Sequence, residues 1–189
     1  MNRTSDYIDY DKALNKGLSL LNDKKKCRIG FYIVFSINTG LRISDILKIR
    51  HKDLAEDKIS IIEKKTKKQR EITLNGVVKR AYIKLVSMLN EENERFTEVD
   101  FIFISQKGSV YMTQSINDIL KSHFNTRKLQ VSSHSLRKSF ARRVYQNLNE
   151  SENALVLLSD IFSHSSIAIT RRYLGIRQET ISNVYLTLI

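Results

Sequence analysis

Four residues of the stretch Ser132–Leu174, together with two sites far upstream, could act on a phosphate. The stretch opens with His134-Ser135-Leu136-Arg137 and closes with His164 and, nine residues on, Tyr173 behind the pair Arg171-Arg172. Arg137 is the residue out of pattern. On a helix running from Ser133 to about Asn149, Leu136, Phe140, Val144 and Leu148 form an apolar stripe, and Arg137 projects between Val144 and Leu148. A buried guanidinium costs several kcal/mol unless it is partnered. Two readings stand from this helix alone: a snorkelling or salt-bridged arginine, and an arginine held by the core to grip an external phosphate. Arg42 repeats the pattern on a helix expected over Leu41–Arg50, where it points between Ile49 and Ile46. Guanidinium groups suit phosphates because they donate two parallel hydrogen bonds in one plane. A phenol such as Tyr173 ionises near pH ~10, so it needs a base or a strongly cationic surrounding to react near neutrality. Tyr173 alone reads as packing, and His164 alone as a loop residue.

The elements that must position these residues are mainly helical. Helical spacing marks Asp11–Leu21 and Arg28–Ile37, with Thr39 a cap for the helix carrying Arg42. Lys58–Glu63 and Arg70–Leu74 read as two short strands joined by the polar connection Lys64-Lys65-Thr66-Lys67-Lys68-Gln69. Asn75 caps a helix to about Asn90, with Val78, Ala81, Tyr82, Leu85 and Leu89 inward. After an acidic loop, Phe101–Ser105 and Val110–Met112 read as a strand, a turn and a strand. Thr113 caps a helix with Ile116, Ile119, Leu120 and Phe124 inward, and Ser132-Ser133 caps the helix of Arg137. Helices over Glu152–Phe162 and Ser166–Leu174 follow, then an apolar stripe of Ile181, Val184, Tyr185 and Leu188. The fold class is α+β: mainly α with a small antiparallel sheet.

Length and composition narrow the partner. The chain has 189 residues with 41% hydrophobic content, enough for one domain with a real core. No apolar run is long enough for a membrane span and the start shows no signal-peptide core. One cysteine, Cys27, cannot form an internal disulfide and fits a reducing compartment. The formal net charge of +12 favours a polyanionic partner, nucleic acid first. Lys64 to Lys68 could be a solvated turn, or a prong entering a DNA groove and bringing an ammonium to a phosphate. Neither ligand-spaced metal residues nor a phosphate-cradling glycine loop is seen, so no cofactor is expected.

Together these features resemble the catalytic domain of the tyrosine recombinases, the phage-integrase family. Thr39-Gly40-Leu41-Arg42-Ile43-Ser44-Asp45-Ile46-Leu47 is similar to the family's first-arginine motif, and Lys65-Thr66-Lys67-Lys68-Gln69-Arg70 to its lysine hairpin. His134-Ser135-Leu136-Arg137 matches the His-x-x-Arg box, and His164 to Tyr173 the closing box, in family order from about residue 5 to 175. Ser163 departs from the family's usual glycine, and Thr66 from the glycine that commonly follows the lysine. The resemblance implies a site-specific DNA recombinase or integrase of a phage or mobile element. Tyr173 would be the nucleophile, giving a 3′-phosphotyrosyl intermediate. Arg42 and Arg137 would stabilise charge on the phosphate, Lys65 would be the general acid, His134 would handle protons and His164 would bind phosphate. Lys64, Lys67, Lys68, Arg70 and Lys138 are further DNA-contact candidates. The expected partner is double-stranded DNA, with a tetramer of protomers on paired sites by resemblance and a monomer in solution compatible with it. The location would be the cytoplasm, on the nucleoid. Residues 1–189 are expected to form a single catalytic domain with a tail from about 176, without the family's usual N-terminal domain. A type IB topoisomerase or telomere resolvase would use the same residues for other products. A non-catalytic DNA-binding module would form no covalent adduct.

Overall fold

The structure is a computed structural model that describes residues 5–63, 67, 69–126, 129–176 and 183–187. The chain divides into two compact units, Met1–Phe140 and Ala141–Ile189.

In the first unit the central element is α2 (Cys27–Thr39), in which Ile29 and every residue from Phe31 to Ile37 is buried. A helix apolar on all sides must be surrounded. It packs on α1 (Tyr10–Leu21) and on α4 (Gly76–Glu91). Phe31 stacks on Phe103 with ring centroids 5.8 Å apart, and Tyr32 meets the same ring edge-on. Gly30 lets α1 approach: a Cβ there would lie 2.3 Å from the Leu21 backbone nitrogen and 2.6 Å from the Gly17 carbonyl oxygen.

The expected helix over Leu41–Arg50 is not formed. Only α3 (Ile43–Ile46) is helical, with Arg42 extended at its N-cap, and Thr39 closes α2 instead, its hydroxyl donating to the Phe35 carbonyl. The competing interaction is extended pairing. Ile102 donates to the Ile49 carbonyl, Arg50 bridges Phe101, and His51 donates to the Asp100 carbonyl before a 3-10 turn, His51–Leu54. These contacts also replace the expected strands at 101–112, which are isolated bridges, Arg50 to Phe101 and Ile104 to Val110. Arg28 anchors this region through two bonds to Glu94 and one to the Ile102 carbonyl.

The sheet is β1 (Lys58–Ile62) paired antiparallel with β2 (Gln69–Thr73), from Lys58 opposite Thr73 to Ile62 opposite Gln69. Asn75 caps α4 by accepting from the Val78 amide at 3.0 Å. α5 (Thr113–Phe124) buries Ile116, Leu120 and Phe124. α6 (Ser133–Asn147) begins at a reciprocal cap, with Ser132 accepting from the His134 amide and Ser135 from the Ser132 amide. Its Ser139 hydroxyl donates to the carbonyl of Ile8 and accepts from the Ile8 amide.

In the second unit α7 (Glu152–Phe162) buries Leu155, Leu158 and Phe162, and packs on α8 (Ile167–Leu174). Val184 and Tyr185 are exposed; Ile181 and Leu188 of the expected stripe lie outside the described residues. The mainly α fold with a two-stranded antiparallel sheet is as expected. Among the described residues no helix is long and apolar enough to cross a membrane.

Gly30→Ala should lower unfolding stability by about 1–3 kcal/mol through the forced separation of α1 and α2. Gly76→Ala, whose new methyl meets only the flexible Arg80 side chain, should be neutral or stabilising in the same denaturant titration.

Candidate active site

In the first unit the candidate residues are built around the turn that ends α2. Gly40 adopts a left-handed conformation (φ 60°), and a Cβ on it would lie 2.3 Å from the Phe140 ring. Glycine is therefore required twice, by the backbone and by the close ring. The Gly40 carbonyl accepts a hydrogen bond from the guanidinium of Arg137, which is only 4% exposed. The sequence placed Arg137 toward the core, and the structure buries it there, on a backbone oxygen.

Arg42 follows two residues after Gly40. Its Nη1 donates to Oε2 of Glu63 at 2.7 Å, and the other carboxylate oxygen of Glu63 lies 3.5 Å from Nη1 of Arg70. Glu63 is almost fully buried, and both arginine side chains are 18% exposed. Burial pushes the Arg70 guanidinium below its ordinary pKa; Glu63 opposes the shift, Arg42 adds to it, and Asp45 opposes it. Arg42 thus reaches an interior position from an extended N-cap, not from the helical face expected for it.

His134 is exposed in the first turn of α6. Lys138 is half-buried, its ammonium donating to the Ser5 carbonyl at 2.8 Å, and burial lowers its pKa. Arg70 likewise turns inward to Glu63. Lys67 is exposed with a positive φ of 59°, and its amide donates to the Glu63 carbonyl at 2.9 Å. Lys64, Lys65 and Lys68 lie outside the described residues.

The second unit carries the other two candidates. α7 ends in a Schellman turn: the Ser163 amide donates to the Asp160 carbonyl and the His164 amide to the Ser159 carbonyl. Ser163 sits at φ 54°, in the left-handed region, so the position that favours glycine in the family motif does so for a backbone reason. The turn directs His164 to Thr170, with Nδ1 and Oγ1 2.9 Å apart. The His164 ring then packs on Phe162 and Tyr173, the three centroids lying 5.4 to 5.6 Å apart. Tyr173 is half-buried in the last turn of α8, before Gly175 ends the helix with φ 76°.

Sequence reasoning missed Glu63 and gave no role to Asp45, which stands buried in the first-arginine motif. The signal for Glu63 was its period: Ile59 and Ile61 face inward on β1, and Glu63 is the next residue of that face.

The model of the phage integrase family matches residues 10–179. The chain belongs to the phage integrase family. Within it, the chain is 30% identical over 167 residues to the probable integrase/recombinase YoeC of Bacillus subtilis, covering 88% of this chain and 86% of that one. It is 26% identical to the tyrosine recombinase XerC of Caldanaerobacter subterraneus, covering 75% of this chain and 39% of XerC. The fold is that of the XerA recombinase crystal structure (TM-score 0.68, 20% identity, 98% of this chain and 66% of that one). XerH bound to its palindromic difH substrate is also similar (TM-score 0.65, 23% identity, 98% and 54%). The activity class of this family member is that of the site-specific tyrosine recombinases and integrases.

Ser163→Gly should stabilise the protein by about 0.5–1 kcal/mol, because glycine relieves the left-handed conformation more than it adds chain entropy. A rise in the thermal midpoint relative to wild type checks this.

Proposed function

We propose that this family member breaks and rejoins double-stranded DNA through a covalent 3′-phosphotyrosyl intermediate on Tyr173. The observation that carries the reading is the Tyr173–His164 pair. The two rings are in contact, 5.6 Å between centroids, which supports reading Tyr173 as the nucleophile and His164 as the phosphate-binding residue beside it. In support, the structurally similar Tn1549 transposon integrase is in complex with transposon right end DNA, and the net charge of +12 suits a DNA partner.

The chemistry balances without an external energy source. The Tyr173 oxygen attacks phosphorus as its proton leaves, with His134 in the proton-handling role. The P–O5′ bond breaks and Lys65 protonates the departing 5′-oxygen. Arg42 and Arg137 stabilise the charge on the non-bridging oxygens, and restraint of Arg137 by the Gly40 carbonyl reduces the reorganisation required of it. His164 hydrogen-bonds the same phosphate. A second 5′-hydroxyl reverses the step with new connectivity. Lys64, Lys67, Lys68, Arg70 and Lys138 are the tentative DNA contacts, and Arg70 and Lys138 would have to leave Glu63 and Ser5 to serve as such. Protomers assemble on paired DNA sites, four in the synapse, at the nucleoid.

A pool of nicked suicide duplexes with randomised flanks, resolved on a denaturing gel, tests the reading. Wild type should give a covalent protein–DNA band whose DNA can be recovered and sequenced; no band would refute the reading. Tyr173→Phe should abolish the band while duplex binding survives, and a persisting adduct would remove Tyr173 from the role. Lys65→Ala should be rescued preferentially by a 5′-bridging phosphorothiolate, which leaves without protonation. Rescue of Lys67→Ala or Lys68→Ala instead would move the general acid to that residue.

A further inference from the structure

We infer that Glu63 is a positioning residue for the reaction, holding the Arg42 guanidinium in place and tying it to the base of the lysine hairpin. The inference rests on the assignment of Arg42 to the phosphate made above. Glu63 is an acid bonded to both Arg42 and Arg70, with Asp45 a further carboxylate acting on Arg70, and its side chain is 2% exposed. Its two oxygens are divided between two cations, Oε2 at 2.7 Å from Arg42 and Oε1 at 3.5 Å from Arg70. Two guanidiniums brought together inside a protein repel and lose hydration; a carboxylate shared between them offsets part of both costs and fixes where each can lie. A guanidinium has five N–H donors, so anchoring one nitrogen on Glu63 is compatible with donation to a phosphate.

Glu63 is also fixed at its backbone. It follows the last residue of β1, and its carbonyl accepts from the Lys67 amide at 2.9 Å. One residue therefore holds Arg42 through its side chain and the start of the hairpin connection through its main chain. Lys65, the proposed general acid, is two residues away in sequence. A surface ion pair would do neither, being exposed to solvent and screened by salt. The inward carboxylate does not need to touch DNA. It acts through Arg42, and its removal should be felt in the chemical step more than in binding.

The test uses the full chain and a suicide duplex recovered from the wild-type adduct. Glu63→Gln keeps the shape and removes the charge. It should slow single-turnover cleavage at saturating duplex by about tenfold or more, with the duplex Kd changed less than about threefold. Glu63→Asp should restore part of the rate. The double variant Arg42→Lys with Glu63→Gln should be no slower than Arg42→Lys alone, because both changes act through one guanidinium. A wild-type rate for Glu63→Gln, or penalties that simply add, would overturn the inference; additive losses with a lowered thermal midpoint would mark a structural ion pair. Should Glu63→Gln not fold, Glu63→Asp decides: slower cleavage at unchanged Kd supports the inference and a wild-type rate overturns it. Failure of the underlying assignment looks different, since Arg42→Lys would then itself cleave at the wild-type rate.

Discussion

The hydrogen bond from Arg137 to the Gly40 carbonyl is the contact on which the first unit's candidate residues depend. An interior guanidinium has to be met by fixed acceptors, and a carbonyl at a helix C-terminus is one that folding itself supplies. The same glycine turns the chain from α2 into the extended residue Arg42 and leaves room for the Phe140 ring. The Thr39-Gly40-Leu41-Arg42 motif is thus a structural joint. Thr39 seals the end of α2, Gly40 turns and accepts, Leu41 is buried, and Arg42 emerges toward Glu63.

The second unit reaches its geometry by a related device. A left-handed residue closes α7, and the next residue is the histidine. In both units a helix is stopped abruptly and a polar side chain is delivered at or just after the stop. Such turns have one conformation, so the side chain that follows starts from a fixed direction. Thr170, fully buried, then receives His164 and limits the ring's rotation.

Much of this was legible in the sequence because charge in an apolar pattern is conspicuous. Arg137 stood out within its stripe, and the helices α1, α2 and α4 to α8 followed from spacing; the caps at Asn75 and Ser132 formed, whereas Thr113 is already the first residue of α5, with Met112 at the N-cap. Arg42 was placed inward on a wrong premise: the helix that should have turned it ends at Ile46, since Ile49 and Arg50 are drawn into pairing with Phe101 and Ile102. Those are contacts about fifty residues apart, which periodicity within a window does not register. The same pairing reduced two expected strands to bridges. Glu63 was passed over although the expected strand Lys58–Glu63 contained it, because an acid at a strand's end reads as solvent-facing; only the inward face of Ile59 and Ile61 marks it as interior.

Gly40 also has a consequence for how sequences of this kind can diverge. Its left-handed backbone excludes side chains for one reason and the Phe140 ring for another. Shrinking Phe140 would remove only the steric veto, and reshaping the turn would remove only the torsional one while displacing the carbonyl that Arg137 uses. No single replacement at either position opens a path to an alternative. Drift across this joint therefore requires several simultaneous changes, and the residue without a side chain becomes the slowest to change.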